Sequence, residues 1–201
     1  MLCLSFIPPS LHLNHHFCDP NTRLLQSIRY ANSRGHRPVR HRHTTSHLRL
    51  NGLYILLSDR GDKSYTFHWR LYLHQSPTSG SIYHLLNDID PTIWRFPHLP
   101  DQTVIYDSSL LGALKIGVLD PILHAHFLER LHQIPLVDSV RFRERITCRV
   151  WLKEALFALD DEGYIMLTRN VDDIEAEARN FALRNKSLGR RSVSRSCGSQ
   201  A

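Results

Sequence analysis

Three side chains are the best candidates for chemistry in this sequence: one thiol and two imidazoles. Cys148 lies at the start of the segment ITCRVWLKEALFAL, and His68 and His84 lie upstream in YTFHWRLYLH and SIYHLLN. A cysteine in the first turn of a helix meets unpaired N–H groups and the positive end of the helix dipole, which favour the nucleophilic thiolate. Such a thiol also needs a base, usually a histidine, within hydrogen-bond reach. The three residues therefore form a candidate site for thiol chemistry.

A purely structural interpretation of the same residues stays open. Cys148 lies on a helical stripe of apolar residues, and free cysteine often behaves as a small buried hydrophobe. The stripe consists of Cys148, Trp151, Leu152, Ala155, Leu156 and Leu159. A histidine on a strand is most often a half-exposed residue without a catalytic role, although two on adjacent strands upstream of this cysteine favour the site.

Other catalytic and metal-binding patterns are missing from the sequence. It contains no G-x-G-x-x-G, P-loop, G-x-S-x-G or H-E-x-x-H motif. His124 and His126 are two residues apart on a predicted helix, so they point to different faces and do not form the i, i+4 pair of a zinc helix. We therefore expect no cofactor and no metal.

Hydrophobic patterns predict an α+β domain that positions these residues. The segments 53–57, 65–74, 81–87 and 110–119 are typical of strands, and 65–74 alternates so that Trp69 and His68 lie on opposite faces. Helices are predicted over 120–134, from the N-cap Thr147 to Gly163, and over 171–185. The pattern indicates an antiparallel sheet of four to five strands with about three helices.

Charge divides the 201-residue chain into three parts. Residues 1–50 carry seven arginines and one acid, and residues 184–201 carry five basic residues and no acid, so both ends are basic. Residues 51–183 carry 13 basic and 18 acidic residues, a net charge of −5. We predict a disordered basic leader (1–50), an α+β domain (51–183) and a disordered basic tail (184–201). The domain has no basic face of the kind that sequence-specific nucleic-acid binding requires.

Two resemblances follow from the order of these motifs. His68-Trp69, Tyr83-His84, the strand around Gly117 and the C-x-x-W-x-x-x-A-L helix resemble a small fungal family of unknown function, over roughly residues 52–166. More distantly, the order of parts is similar to circularly permuted papain-like proteins of the NlpC/P60 superfamily, in which an H-[WY] strand comes first and a cysteine helix last. That resemblance implies Cys148 as nucleophile, His68 as its base and His84 as the orienting group.

The sequence thus leaves two functions open. One is a thiol hydrolase or acyltransferase that acts on an amide or ester. The other is a non-catalytic accessory or interaction domain with a buried structural cysteine. The expected partner is a small molecule or peptide, and no apolar run is long enough to span a membrane. We expect a cytoplasmic protein, or a mitochondrial one if residues 1–50 are a presequence rather than a translated leader.

Overall fold

Apolar residues that alternate or run continuously along the chain form one six-stranded sheet. The computed structural model describes residues 48–61 and 66–201, which belong to one compact unit, His43–Ala201. The strands are β1 (Gly52–Asp59), β2 (Phe67–His74), β3 (Gly80–Tyr83), β4 (His98–Gln102), β5 (Leu110–Val118) and β6 (Ser192–Arg195). Their order is β4-β3-β2-β1-β5-β6, and all neighbours are antiparallel except the parallel pair β5 and β6.

Three helices follow β5 in the chain, and α2 has the caps that the sequence predicts. They are α1 (His124–His132), α2 (Cys148–Asp161) and α3 (Val171–Ser187), and single 3-10 turns cover Val104–Tyr106 and Pro121–Leu123. The Thr147 hydroxyl accepts a hydrogen bond from the N–H of Val150 at 3.2 Å, which satisfies an unpaired donor at the start of α2. Gly163 follows α2 at a φ of +77°, the left-handed conformation that ends many helices.

The two faces of the sheet carry separate apolar clusters because side chains alternate along each strand. One cluster, here called the helix-side core, joins Phe67, Trp69 and Leu71 of β2 to residues of all three helices. The second, here called the far-face cluster, lies on the other side of the sheet. It consists of Tyr54, Leu56, Tyr72, Ile82, Val104, Leu110 and Ala113.

The predicted fold class is confirmed at the level of an α+β domain with a mostly antiparallel sheet and three helices, but the sheet has six strands rather than four to five. The two additional strands are the edges. β4 lies in a proline-containing segment that the sequence assigned to a connection. An edge strand tolerates a proline such as Pro100, because the missing N–H need not pair with a neighbour.

The expectation of a disordered tail over residues 184–201 is wrong. α3 continues to Ser187, and β6 pairs with β5 in parallel. The fully buried Asn185 holds this connection, since its amide donates to the Leu111 carbonyl and to the Ser192 hydroxyl, each at 2.9 Å. A strand that pairs through its backbone with an open sheet edge needs little apolar content of its own. Of the predicted leader, residues 1–47 lie outside the part of the chain that the structure describes.

Candidate functional site

Cys148 lies inside the helix-side core. It is the first residue of α2 and is only 2% exposed, and it belongs to the same cluster as Trp69 and Trp151. The contact recorded for its Sγ atom is with Arg60, whose Nη2 lies 3.6 Å away. The thiol thus has a cationic donor beside it at a helix start, but it is packed among apolar side chains.

His68 and His84 form a close imidazole pair. His68 is in β2, and His84 directly follows β3, the neighbouring strand. His68 Nε2 and His84 Nδ1 are 2.7 Å apart, and the rings meet edge to face with centroids 5.0 Å apart. One of these two nitrogens donates its proton to the other, so the two rings act as one hydrogen-bonded unit.

Strand alternation turns this pair away from the face on which the thiol is packed. In β2, His68 shares its face with Arg70 and with Tyr72 of the far-face cluster, whereas Phe67 and Trp69 face the helices. Among the residues that the structure describes, no hydrogen bond joins the Cys148 thiol to either ring. Of the three residues that the sequence proposed for one site, the structure brings His68 and His84 together. It leaves Cys148 on the helix-packing face, where its neighbour is Arg60, which also lines the pocket beside His68.

Both imidazoles are neutral at neutral pH. Burial, together with the nearby His84, Arg70 and Arg60, lowers the pKa of His68 to about 3. Burial also lowers the pKa of His84 to about 4, with Arg70 and Arg95 acting in the same direction. A neutral imidazole exchanges hydrogen bonds with a ligand but brings no charge of its own.

Arg70 lies beside the histidine pair and is held in place by polar partners. Its Nη2 donates to the Ser58 hydroxyl and pairs with the Asp107 carboxylate at 2.6 Å. Burial alone would raise the pKa of Asp107, but hydrogen bonds from Ser109 and Arg70 outweigh it and lower that pKa. Sequence reasoning missed this ion pair, although strand alternation already placed Arg70 on the face of His68.

A pocket of about 400 Å³ opens beside His68, at the end of the sheet where β1 stops and β2 begins. Its lining combines a cation, a neutral imidazole, an amide and an aromatic ring with two leucines. The lining residues are Arg60, His68, Leu85, Leu86, Asn87, Asp88 and Trp94. Sequence reasoning found only His68. Leu85, Leu86 and Asn87 lie in a segment that it assigned to a strand, and Arg60, Asp88 and Trp94 come from loops.

The charge of Asp88 in this lining is already matched. Arg95 donates to both of its carboxylate oxygens, at 2.7 to 3.0 Å, and lowers the pKa of Asp88. Arg60 forms no ion pair with any residue of 48–61 or 66–201. The polar side of the pocket is therefore a cationic donor beside a neutral ring.

No group of three or more His, Cys, Asp or Glu side chains in the described ranges has the spacing of a metal site. No helix there is both long and apolar enough to cross a membrane. Comparison of the chain with protein-family models, curated proteins and solved structures finds no match.

Proposed function

We propose that this domain is a non-catalytic binding module that takes a small molecule in the pocket beside His68, and that Cys148 is a packing residue. The observation that carries the proposal is that the thiol is packed in the helix-side core, whereas strand alternation turns the histidine pair to the other face. A thiol nucleophile requires a base within hydrogen-bond reach, and the recorded neighbour of this thiol is a guanidinium.

The pocket itself supports a binding role. Its volume of about 400 Å³ lies within the roughly 300–1,000 Å³ that is typical of small-molecule sites. Such sites combine apolar and aromatic walls with a few polar groups that orient the ligand. Leu85, Leu86 and Trp94 supply the walls, and Arg60 and His68 supply polar groups.

Fragment binding to the full chain tests this function. Small carboxylates, amides and amines are added, and NMR signals of the Trp94 indole and the His68 ring are followed. We expect at least one class to shift both signals. Leu86→Trp should block binding by filling the pocket, whereas Leu188→Trp, the same change at an exposed residue after α3, should leave it intact. Shifts that persist in Leu86→Trp would contradict a site in this pocket.

A second candidate is the thiol hydrolase or acyltransferase with a permuted papain-like arrangement. The contact between Arg60 Nη2 and Cys148 Sγ at 3.6 Å, together with the helix start, favours it, because both stabilise a thiolate. In that case Cys148 is the nucleophile, and His68 and His84 would have to approach it through a rearrangement of the sheet end.

Release of 4-nitrophenolate from 4-nitrophenyl acetate separates the two functions. The binding module should release it at the same rate in the full chain and in Cys148→Ala. A burst of one equivalent per chain, lost in Cys148→Ala and kept in Cys197→Ser, would establish the thiol enzyme and overturn the leading proposal.

A further inference from the structure

Two buried nitrogens close to His68 have no hydrogen-bond partner among the residues that the structure describes. They are Nε2 of His84, a residue that is only 6% exposed, and Nε of Arg70. His84 directly follows Tyr83, which pairs with Leu71, so continuing the register brings His84 opposite Arg70. Most buried polar atoms in native proteins are hydrogen-bonded, so these two call for an explanation.

The unpaired nitrogen of His84 indicates which tautomer the histidine pair adopts. Arg70 Nε carries a hydrogen in every state, so it is an unpaired donor. If His84 Nε2 also carried a hydrogen, two unpaired donors would lie on neighbouring strands amid the positive charges of Arg70 and Arg95. A bare Nε2 instead presents a lone pair to that positive surrounding, which is the favourable arrangement. The proton of His84 then lies on Nδ1.

This tautomer fixes what His68 offers to the pocket. His84 Nδ1–H donates to His68 Nε2 across 2.7 Å, so the Nε2 lone pair of His68 is used. A neutral imidazole with a bare Nε2 carries its hydrogen on Nδ1. His68 lines the pocket, and Nδ1 is its remaining ring nitrogen. In this tautomer Nδ1 is a hydrogen-bond donor and not a base.

Arg60 adds a charged donor to the same pocket. Its Nη2 reaches the Cys148 sulfur, but a guanidinium has five N–H groups. Within residues 48–61 and 66–201 no acceptor takes the remaining ones, which we assign to a ligand. Both carboxylate oxygens of Asp88 already accept hydrogen bonds from Arg95. An acceptor with negative charge therefore suits this lining, and a cation does not.

We propose that the pocket binds a small carboxylic acid as its carboxylate, which accepts hydrogen bonds from Arg60 and from His68 Nδ1–H while its aromatic or branched hydrocarbon part lies against Trp94, Leu85 and Leu86. This inference rests on the proposed binding function and names its ligand class. Paired donors that meet a carboxylate form charge-assisted hydrogen bonds, which are about twice as strong as neutral ones.

The tautomer is tested first, in the chain without a ligand. Two-bond ¹H–¹⁵N correlation spectra at neutral pH distinguish a protonated ring nitrogen from a bare one. We expect a protonated Nδ1 and a bare Nε2 in both His68 and His84. A proton on His68 Nε2 would overturn the inference, since His68 would then offer the pocket an acceptor.

Binding is tested with benzoate, benzamide and benzylamine, which share one ring and differ in charge. Benzoate should shift the Trp94 indole and His68 ring signals with an affinity at least about tenfold above that of the other two, because the hydrogen bonds to its charge are worth more. Arg60→Gln should weaken benzoate binding by about ten- to hundredfold. The matched control Arg179→Gln removes one positive charge from the exposed surface of α3 and should have no such effect.

The outcomes separate the two proposals. Benzamide or benzylamine binding as tightly as benzoate, or equal weakening by Arg60→Gln and Arg179→Gln, would overturn the carboxylate inference and leave the binding function standing. If none of the three compounds moves the Trp94 and His68 signals, both proposals fail. Because Arg60 is an exposed residue, its variant is expected to fold, and the comparison needs no substitution of the histidines.

Discussion

The two faces of the sheet differ in how completely their buried cationic side chains are paired. On the helix side, Lys153 is 3% exposed, yet its ammonium meets Glu144 and Asp172 at 2.7 Å and Glu175 at 3.4 Å. On the far face, Arg70 is only partly paired, because Nη2 has partners and Nε has none among the described residues. A fully satisfied buried network stabilises and specifies a fold, whereas a buried donor without a partner costs free energy.

Cys148 belongs to the helix side of the sheet, and the histidine pair belongs to the far face. The thiol is enclosed by the helix-side core, which also contains Trp151. His68 lines a pocket at the sheet end. Chemistry that needs a thiol and an imidazole in one place is therefore divided between two faces, and this division is the basis of the proposed binding function.

The largest expected effect is on the helix side, at Trp151. This residue is fully buried and packs against Phe96, with ring centroids 5.0 Å apart. Trp151→Ala should lower the free energy of unfolding by about 3–5 kcal/mol, as is usual when a large aromatic side chain leaves a core. Urea denaturation measures it. Trp151→Phe should cost much less, because it also removes the indole N–H, which has no partner among the described residues. A loss below about 1 kcal/mol for Trp151→Ala would show that this side is not the tightly packed one.

The second-largest expected effect is a loss of folding stability in acid, caused by the two histidines of the far face. The unfolded-state pKa of histidine is about 6.5, and the folded-state pKa values are about 3 for His68 and about 4 for His84. Between pH 6.5 and pH 4 the unfolded chain binds more protons, so stability present above pH 6.5 is lost as the pH falls. Each histidine contributes at most about 1.4 kcal/mol per pH unit.

The measurement is the free energy of unfolding at several pH values, compared with the double variant His68→Gln/His84→Gln. Carboxylates titrate in both proteins, so the difference between them isolates the two imidazoles. We expect the double variant to have the shallower dependence between pH 6.5 and pH 4. If the free energy of unfolding changed with pH equally in the two proteins, the histidine pair would not be buried and neutral. The proposed difference between the two faces would then be wrong for the far face.

A smaller effect is expected for the paired charge of the helix side. Lys153→Met should cost about 2 kcal/mol, which is below the usual 3–5 kcal/mol for a broken buried ion pair because its carboxylate partners are partly exposed. Lys115→Met is the matched control. Burial and the neighbouring Arg195 and Arg49 lower the pKa of Lys115, so its removal should be neutral or stabilising in thermal unfolding. Equal losses from the two variants would refute a satisfied network around Lys153.

Much of the helix side was predictable from sequence because its signals are local. The N-cap Thr147, Gly163 and the apolar stripe of α2 each act within a few residues, and the structure places that stripe in the core. The sequence also indicated that Cys148 and His68 would face different ways. Strand alternation set His68 opposite Trp69, and the stripe turned Cys148 toward the helix-packing face.

The far side and the sheet edges were not predictable, because they depend on contacts distant in sequence. Arg60, Leu86 and Trp94 come from separate segments and meet only when β1, β2 and β3 align. β6 pairs with β5 about 80 residues upstream, and its own serines and arginines resemble those of a tail. No local pattern reports such a pairing.

The most direct test of the central claim is the alkylation rate of Cys148 in the native chain. Iodoacetamide is added at neutral pH, and labelling is followed by mass spectrometry for each cysteine, in the full chain and in His68→Phe. Cys148 should react only after unfolding and at the same rate in both proteins, while the exposed Cys197 reacts at once. A native Cys148 that reacts faster than Cys197, and loses that advantage in His68→Phe, would contradict the separation of thiol and histidine pair.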